Sequence, residues 1–271
     1  MSQEPGPPRA ATRVSVRWDD CDRFGHVNNA AYLALFRAAL DRLLPELTGQ
    51  TAGVGRLRWA DLAYREPTPR GTEAAVELQL VAAEPLLVVR GVLLAEGRPR
   101  VEADLGWAPG PRDDTAEPAS PALPLPERDA RGLPFRWRHA VRTYELGDDR
   151  AVRPTVIMQW FEHSVFRGAG IVGWSRERME AADFVTLVVA HRVRLAAPAV
   201  EGDEVEIASR LIDLRRVSGT WLHEARRVDG TLLATDHNRG AFLDLAGRIR
   251  PAPPGLMAAL LGGEPGPRGP G

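Results

Sequence analysis

The stretch "DCDRFGHVNN", Asp20 to Asn29, packs two aspartates, the chain's single cysteine, a glycine, a histidine and two asparagines into ten residues. Such residue types fit either an active-site loop feeding a helix or a polar turn with a good helix cap. The apolar-periodic run "AAYLALFRAALDRLL" follows at once. A helix starting there offers free N–H groups and a partial positive charge, which suit a developing anion. The same residues also suit a plain turn. Asparagine is a favoured N-cap, so Asn28 or Asn29 can cap the helix, serve chemistry, or do both. His26 and Asp22 can likewise be turn residues. Asp20 reads as a solvated strand end. Cys21 lies between two acids, which disfavours its thiolate, and no paired base singles it out. It reads as a small strand residue pointing opposite to Asp20 and Asp22.

The elements that position this loop show in the periodicity. "TRVSVRW", ahead of it, alternates as a strand should. Counting from Tyr32, the residues Leu35, Phe36, Ala39, Leu40 and Leu43 fall on one helical face. Three or four strand candidates follow. One long helix against hairpin-linked strands predicts an α+β fold with the helix covering one sheet face.

The pattern occurs twice. "VRWDDCDRFGHVNNAAYLALF", 16–36, lies over "VRTYELGDDRAVRPTVIMQWF", 141–161, without a gap. Further on, Pro67 and Gly71 match Pro198 and Gly202, and Gly97 matches Gly230. In the second copy Ile157, Trp160, Phe161 and Val165 continue the helical stripe. Its strand candidates are "FVTLVVAHRVRLA", "DEVEIASRLIDLR", "GTWLHEARRV" and "NRGAFLDL". A period this long means a duplicated domain rather than a solenoid. Residues 1–11 read as a lead-in, 12–107 as the first domain, 108–134 as a Pro-rich linker, 135–261 as the second domain, and the rest as a tail.

Bulk composition narrows the function. The 271 residues are 44% hydrophobic, enough for packed cores. The formal net charge of -1 provides no basic field for nucleic acid. All 35 basic residues are arginine, which can still grip a phosphate with two N–H groups. One cysteine permits no intrachain disulfide. The N-terminus lacks the apolar core of a signal peptide, and no run is long enough to span a membrane. A soluble cytoplasmic protein is the expectation. No His/Cys/Asp grouping has metal-ligand spacing and no Gly-rich phosphate loop precedes a helix, so neither metal nor cofactor is expected.

Taken together, the string Asp22, Gly25, His26–Asn29 and Tyr32 in copy one, and "FEHS" with "VRLAAPAVEGDEVEI" in copy two, resembles the hotdog-fold thioesterases, in particular the 4-hydroxybenzoyl-CoA thioesterase-like and acyl-ACP thioesterase branches. The resemblance implies a tandem double hotdog, each unit a long helix wrapped by an antiparallel sheet. Such units pair, with active sites at the pair's interface, and two tandem copies could pair within one chain; a homo-oligomer stays open. It also implies hydrolysis of an acyl-CoA or acyl-carrier-protein thioester to a free acid. Matched to the family, Asp22 is the nucleophile or general base, and the Asn29 backbone N–H polarises the thioester carbonyl. His26 and Asn28 orient water or substrate, and Gly25 and Tyr32 complete the binding set.

The copies differ at these positions. Asp22 matches Gly147, which has no carboxylate, and Asn29 matches Pro154, which has no N–H. One working site, in copy one, is therefore expected. Copy two contributes Glu162, where many hotdog thioesterases carry a helix glutamate and copy one has Arg37. His163 is expected on the solvent side, and His191 and His223 as ordinary sheet residues. The Asp-His-Asn run at 236–238 reads as a strand end of unassigned meaning. Rival readings are a hotdog dehydratase or hydratase, whose extended motif is missing, and a non-catalytic acyl-thioester-binding protein.

Overall fold

The structure, a computed structural model, describes residues 6–51, 53–108, 132 and 134–262. Most of the expected linker and nearly all of the tail lie outside the described residues. The chain divides into two compact units. The first carries β1 (Arg9–Ser15), α1 (Ala31–Thr48), β2 (Leu57–Tyr64), β3 (Glu73–Ala82), β4 (Leu87–Ala95) and β5 (Arg98–Trp107). The second carries β6 (Phe135–Ala140), α2 (Pro154–Ile171), α3 (Arg176–Ala181), β7 (Val185–Leu195), β8 (Glu204–Arg215), β9 (Ser218–Arg227), β10 (Leu232–Leu243) and α4 (Pro254–Leu260). The α+β class and the tandem pair of hotdog units both hold.

Each unit is an antiparallel sheet behind one long helix. In the first the strand order is β1-β3-β4-β5-β2; in the second it is β6-β8-β9-β10-β7. The two orders are the same path. Leu78 pairs with Gly91 and Gly91 with Ala103 in the first unit. Ser209 pairs with His223 and His223 with Asp236 at the corresponding places in the second. The duplication read from sequence is thus visible residue by residue in the ladders.

The helices form for the reasons their periodicity gives. Along α1, Tyr32, Leu35, Phe36, Ala39, Leu40, Leu43 and Leu47 are buried, and Gly49 ends it in the left-handed region at φ 71°. Along α2, Ile157, Trp160 and Phe161 are buried, and Pro154 opens it, where a missing N–H costs nothing. Phe36 and Phe161 occupy matching positions and are fully buried. Each contributes roughly 1.5–3 kcal/mol relative to an exposed ring.

Four expectations need correction. The first strand is not residues 12–18 but Arg9–Ser15, so residues 9–11 of the expected lead-in are strand. Its register is fixed by pairing Arg9–Ser15 against Glu73–Gln79, which alternation alone does not show. Trp18–Asp20 is a turn of 3-10 helix. The last strand begins at Leu232 rather than Asn238, which places Asp236 and Asn238 mid-strand and buried. Two short helices, α3 and α4, escape a search for one long stripe. Among the described residues, no helix is long and apolar enough to cross a membrane.

Candidate active site

The loop before α1 is built by backbone hydrogen bonds. The Asp22 N–H donates to the His26 carbonyl at 2.7 Å, and the Gly25 N–H to the Asp22 carbonyl at 3.0 Å. Gly25 supplies the left-handed turn at φ 77°. The Asn28 N–H reaches the Asp20 carbonyl at 2.8 Å, and the Val27 N–H the Thr68 carbonyl at 2.9 Å. Copy two repeats these bonds: Gly147 to Ala151, Arg150 to Gly147, Arg153 to Glu145 and Val152 to Ala199.

Asp20 is not a solvated strand end. It is buried, its carboxylate accepts the Arg17 N–H at 2.7 Å, and it pairs with the Arg17 guanidinium at 3.1 Å. Glu145 does the same in copy two, accepting the Arg142 N–H at 2.8 Å, with His139 and the Trp160 indole as further donors. Burial opposes ionisation of Glu145, but these donors, His139 first, hold its carboxyl below the ordinary value. This carboxylate position brackets the 3-10 turn in both copies. Cys21 follows that turn and bridges to Val27 rather than extending a strand. Burial, then the Asp20 charge, pushes its thiol up, against the reactivity of a nucleophile.

Asp22 is exposed, and its Oδ1 accepts two backbone N–H groups, Phe24 at 2.8 Å and His26 at 3.1 Å. This closes the turn and fixes the carboxylate plane. In copy two, where Gly147 replaces Asp22, the matching bond is made from another position: the Asp149 Oδ1 accepts the Ala151 N–H at 3.1 Å. A side chain on Gly147 would meet that oxygen at 3.3 Å. Copy two has therefore kept the loop's shape while giving up a carboxylate at position 147.

Asn28 is not the N-cap of α1, which is Ala30 with no side-chain cap, but closes the turn ahead of it. Its Oδ1 accepts the Ala30 N–H at 2.9 Å and its carbonyl the Ala31 N–H at 2.9 Å. Asn29 follows in the turn leading into α1. Its carbonyl accepts the Tyr64 hydroxyl at 3.1 Å. No partner for the Asn29 N–H is found among the described residues. Tyr64, at the end of β2, thus holds the Asn29–Ala30 peptide, while the peptide carrying the Asn29 N–H is held by the bond from Ala31 to the Asn28 carbonyl. Tyr32 is 2% exposed, and its hydroxyl donates to the buried Thr68 hydroxyl at 2.8 Å. Burial raises that phenol. The Tyr32 hydroxyl, given to Thr68, props the loop. The His26 imidazole is half-buried, with no hydrogen bond among the described residues.

The second unit holds a different set. Glu162 lies on α2 with its side chain 15% exposed. Its Oε1 is 3.6 Å from Nε2 of His191, whose Nδ1 is 2.7 Å from Oδ2 of Asp236. The other Asp236 oxygen accepts the Arg192 N–H at 3.1 Å. His191 and Asp236 are fully buried. Burial pulls the His191 imidazole down, but the charge and hydrogen bond of Asp236, then Glu162, outweigh it and raise it to about 10. Asp236 is correspondingly depressed by His191 despite its burial. Nearby, His223 stacks on Phe161 at 5.3 Å, its Nδ1 2.7 Å from the Ser209 hydroxyl. Burial lowers it to about 4. His191 and His223 are thus not ordinary sheet residues, and the 236–238 run is not a strand end. His163 is exposed, edge-on to Trp137 at 5.4 Å.

Sequence reasoning missed Tyr64 and Thr68, and left His191 and Asp236 unassigned. For Tyr64, His191 and Asp236 the only signal is a polar residue inside a strand, and Thr68 lies between β2 and β3 with no such signal. At the place of Glu162, copy one has Arg37, which clamps Asp41 and the Val54 and Gly55 carbonyls.

With this geometry in view, the chain was compared with known proteins. Residues 16–84 and 152–260 match the thioesterase-like superfamily model. No curated protein sequence gives a match. Among solved structures, the chain is similar to a candidate oleoyl thioesterase from Lactobacillus plantarum, at 11% identity and a TM-score of 0.66. That match covers 88% of this chain and 98% of the other. It is similar also to the 12:0-ACP thioesterase from Umbellularia californica, at 9% identity and a TM-score of 0.63, covering 86% and 93%. At these identities the structural likeness bears on the fold.

Proposed function

The chain belongs to the thioesterase-like superfamily and is a thioester hydrolase, and on that premise we propose that copy one's loop carries the reaction on an acyl-CoA or acyl-carrier-protein substrate. The observation that carries the reading is the Asn29 N–H, without a partner among the described residues, on a peptide whose Asn28 carbonyl accepts the Ala31 N–H, in the same loop as a carboxylate held by two amides. The thioester oxygen accepts from the Asn29 N–H, which stabilises the tetrahedral oxyanion. Asp22 takes a proton from water as the water oxygen attacks the carbonyl carbon, or attacks directly to form an acyl-aspartyl anhydride that water then hydrolyses to the free acid. Collapse breaks the C–S bond, and the departing thiolate takes the proton held by Asp22 or, in the direct route, one from solvent. His26, whose imidazole makes no hydrogen bond among the described residues, orients water or substrate. Gly25 and Asn28 set the loop's curvature and the helix start. Arginine guanidinium groups on the surface suit CoA phosphates or the acidic face of a carrier protein.

Free-thiol release from a panel of acyl-CoA and acyl-ACP thioesters of graded chain length tests this. Turnover of one arm is expected, and which arm reports the carrier. Tight acyl-CoA binding with no thiol released from any member would make the chain an acyl-thioester-binding protein instead.

A further inference from the structure

We propose that His191 and Asp236 are positioning residues that hold the Glu162 carboxylate for the thioesterase reaction. The inference rests on that function and extends it to the second unit. Three observations carry it. First, the three groups form one line, with the imidazole facing Glu162 through Nε2 and Asp236 through Nδ1. Asp236 is itself fixed by the Arg192 N–H. Second, only Glu162 of the three has exposed side-chain surface. Third, the fold does not need the line. At the matching positions copy one has Arg37, Ala60 and Ala103, and where copy two has Ser209 and His223 it has Leu78 and Gly91. Ala60, Ala103 and Leu78 are buried, and Phe36 fills the space beside Gly91, where an added Cβ would lie 2.7 Å from its ring.

The same helix-on-sheet packing is thus built twice in one chain, once apolar and once around two carboxylates and two imidazoles. Burying charge is costly even when paired, and apolar replacements of buried ion pairs are often neutral or stabilising. Copy one shows that the apolar solution is available to this fold. The polar one therefore persists for what Glu162 does. A carboxylate facing an imidazole is oriented and kept from swinging into its neighbours, as an outer-shell partner orients a working group. The groups facing His191 are Glu162 from α2 and Asp236 from β10, with His223 of β9 beyond Asp236 and His237 further along β10.

The test is thiol release by the full chain. Glu162→Gln and Asp236→Asn should each lower kcat by about 10²-fold, with KM nearly unchanged. The double variant should lose no more than Glu162→Gln alone, because Asp236 acts through Glu162. A strongly deshielded imidazole N–H proton should be present in the unaltered chain, shift in Glu162→Gln and vanish in Asp236→Asn. That readout does not depend on how well the variants turn over. Unchanged turnover in Glu162→Gln, or losses that add in the double variant, would overturn the positioning role and leave the thioesterase reading standing. No thiol release by the unaltered chain would sink both.

Discussion

Asp22→Asn is expected to lower kcat for thiol release by about 10²–10⁴-fold, the range for removing a positioned acid–base group. The replacement is chosen so that the fold is not the casualty. Asparagine retains the oxygen that accepts the Phe24 and His26 N–H groups. It loses only the basicity needed to take a proton or attack. The melting temperature should stay within about 2 °C, because both turn-closing bonds are kept and an exposed substitution that breaks no structural feature changes stability little. The matched control is Asp149→Asn, which keeps the equivalent bond to the Ala151 N–H and should leave turnover unchanged. Equal losses in the two variants would mean that loop integrity, not Asp22 chemistry, sets the rate.

Stability should peak near pH 6.5 and fall on both sides, by amounts on the order of a few kcal/mol at each extreme. The two buried imidazoles produce opposite slopes. His191 is raised from 6.5 to about 10. The folded state holds a proton there that the unfolded chain releases. Its contribution is complete below pH 6.5 and is lost as pH rises through about 10. His223 is lowered from 6.5 to about 4. The unfolded chain takes a proton there that the folded state refuses. Its contribution is complete above pH 6.5 and is lost as pH falls through about 4. His163, exposed but lowered by its partial burial against Trp137 and then by Arg167, adds only slightly to the acid limb. Chemical denaturation at several pH values reads the curve directly. His223→Leu should weaken the acid limb between pH 6.5 and about 4, leaving what His163 and the depressed Asp236 and Glu145 carboxylates contribute, and leave the alkaline limb unchanged. A curve that is level from pH 6.5 to 10 would show that His191 is not held protonated between its two carboxylates.

The duplication, the two amphipathic helices and the loop string are all legible in the sequence because each rests on local spacing. Phe36 and Phe161 sit where the stripe puts them. Pro154 and Gly147 mark copy two's losses without any structure. What is not legible is long-range. Asp20 and Asp22 look alike on paper. Only the 3-10 turn at Trp18–Asp20 shows that one is buried as a bracket and the other faces solvent. Tyr64 reaches the Asn29 carbonyl across 35 residues of chain. Glu162, His191 and Asp236 come from α2, β7 and β10, so no window of sequence contains them together. Asp149 is the instructive case. Its loop-closing bond means that the glycine at 147 removes a carboxylate without removing the turn, a distinction that aligned residues do not reveal.

The central claim is that one loop of the two carries the chemistry. The most direct measurement compares thiol release by Asn29→Pro and Pro154→Ala, which alter the same position in the two copies. Proline at this position is compatible with the fold, because copy two opens α2 with it. Asn29→Pro removes the backbone donor together with the side-chain amide and should cost about 10²–10³-fold in kcat, where Asn29→Ala, which keeps the N–H, should not, and Pro154→Ala should leave kcat as it is. Full activity in Asn29→Pro, or a comparable loss in Pro154→Ala, would contradict the account.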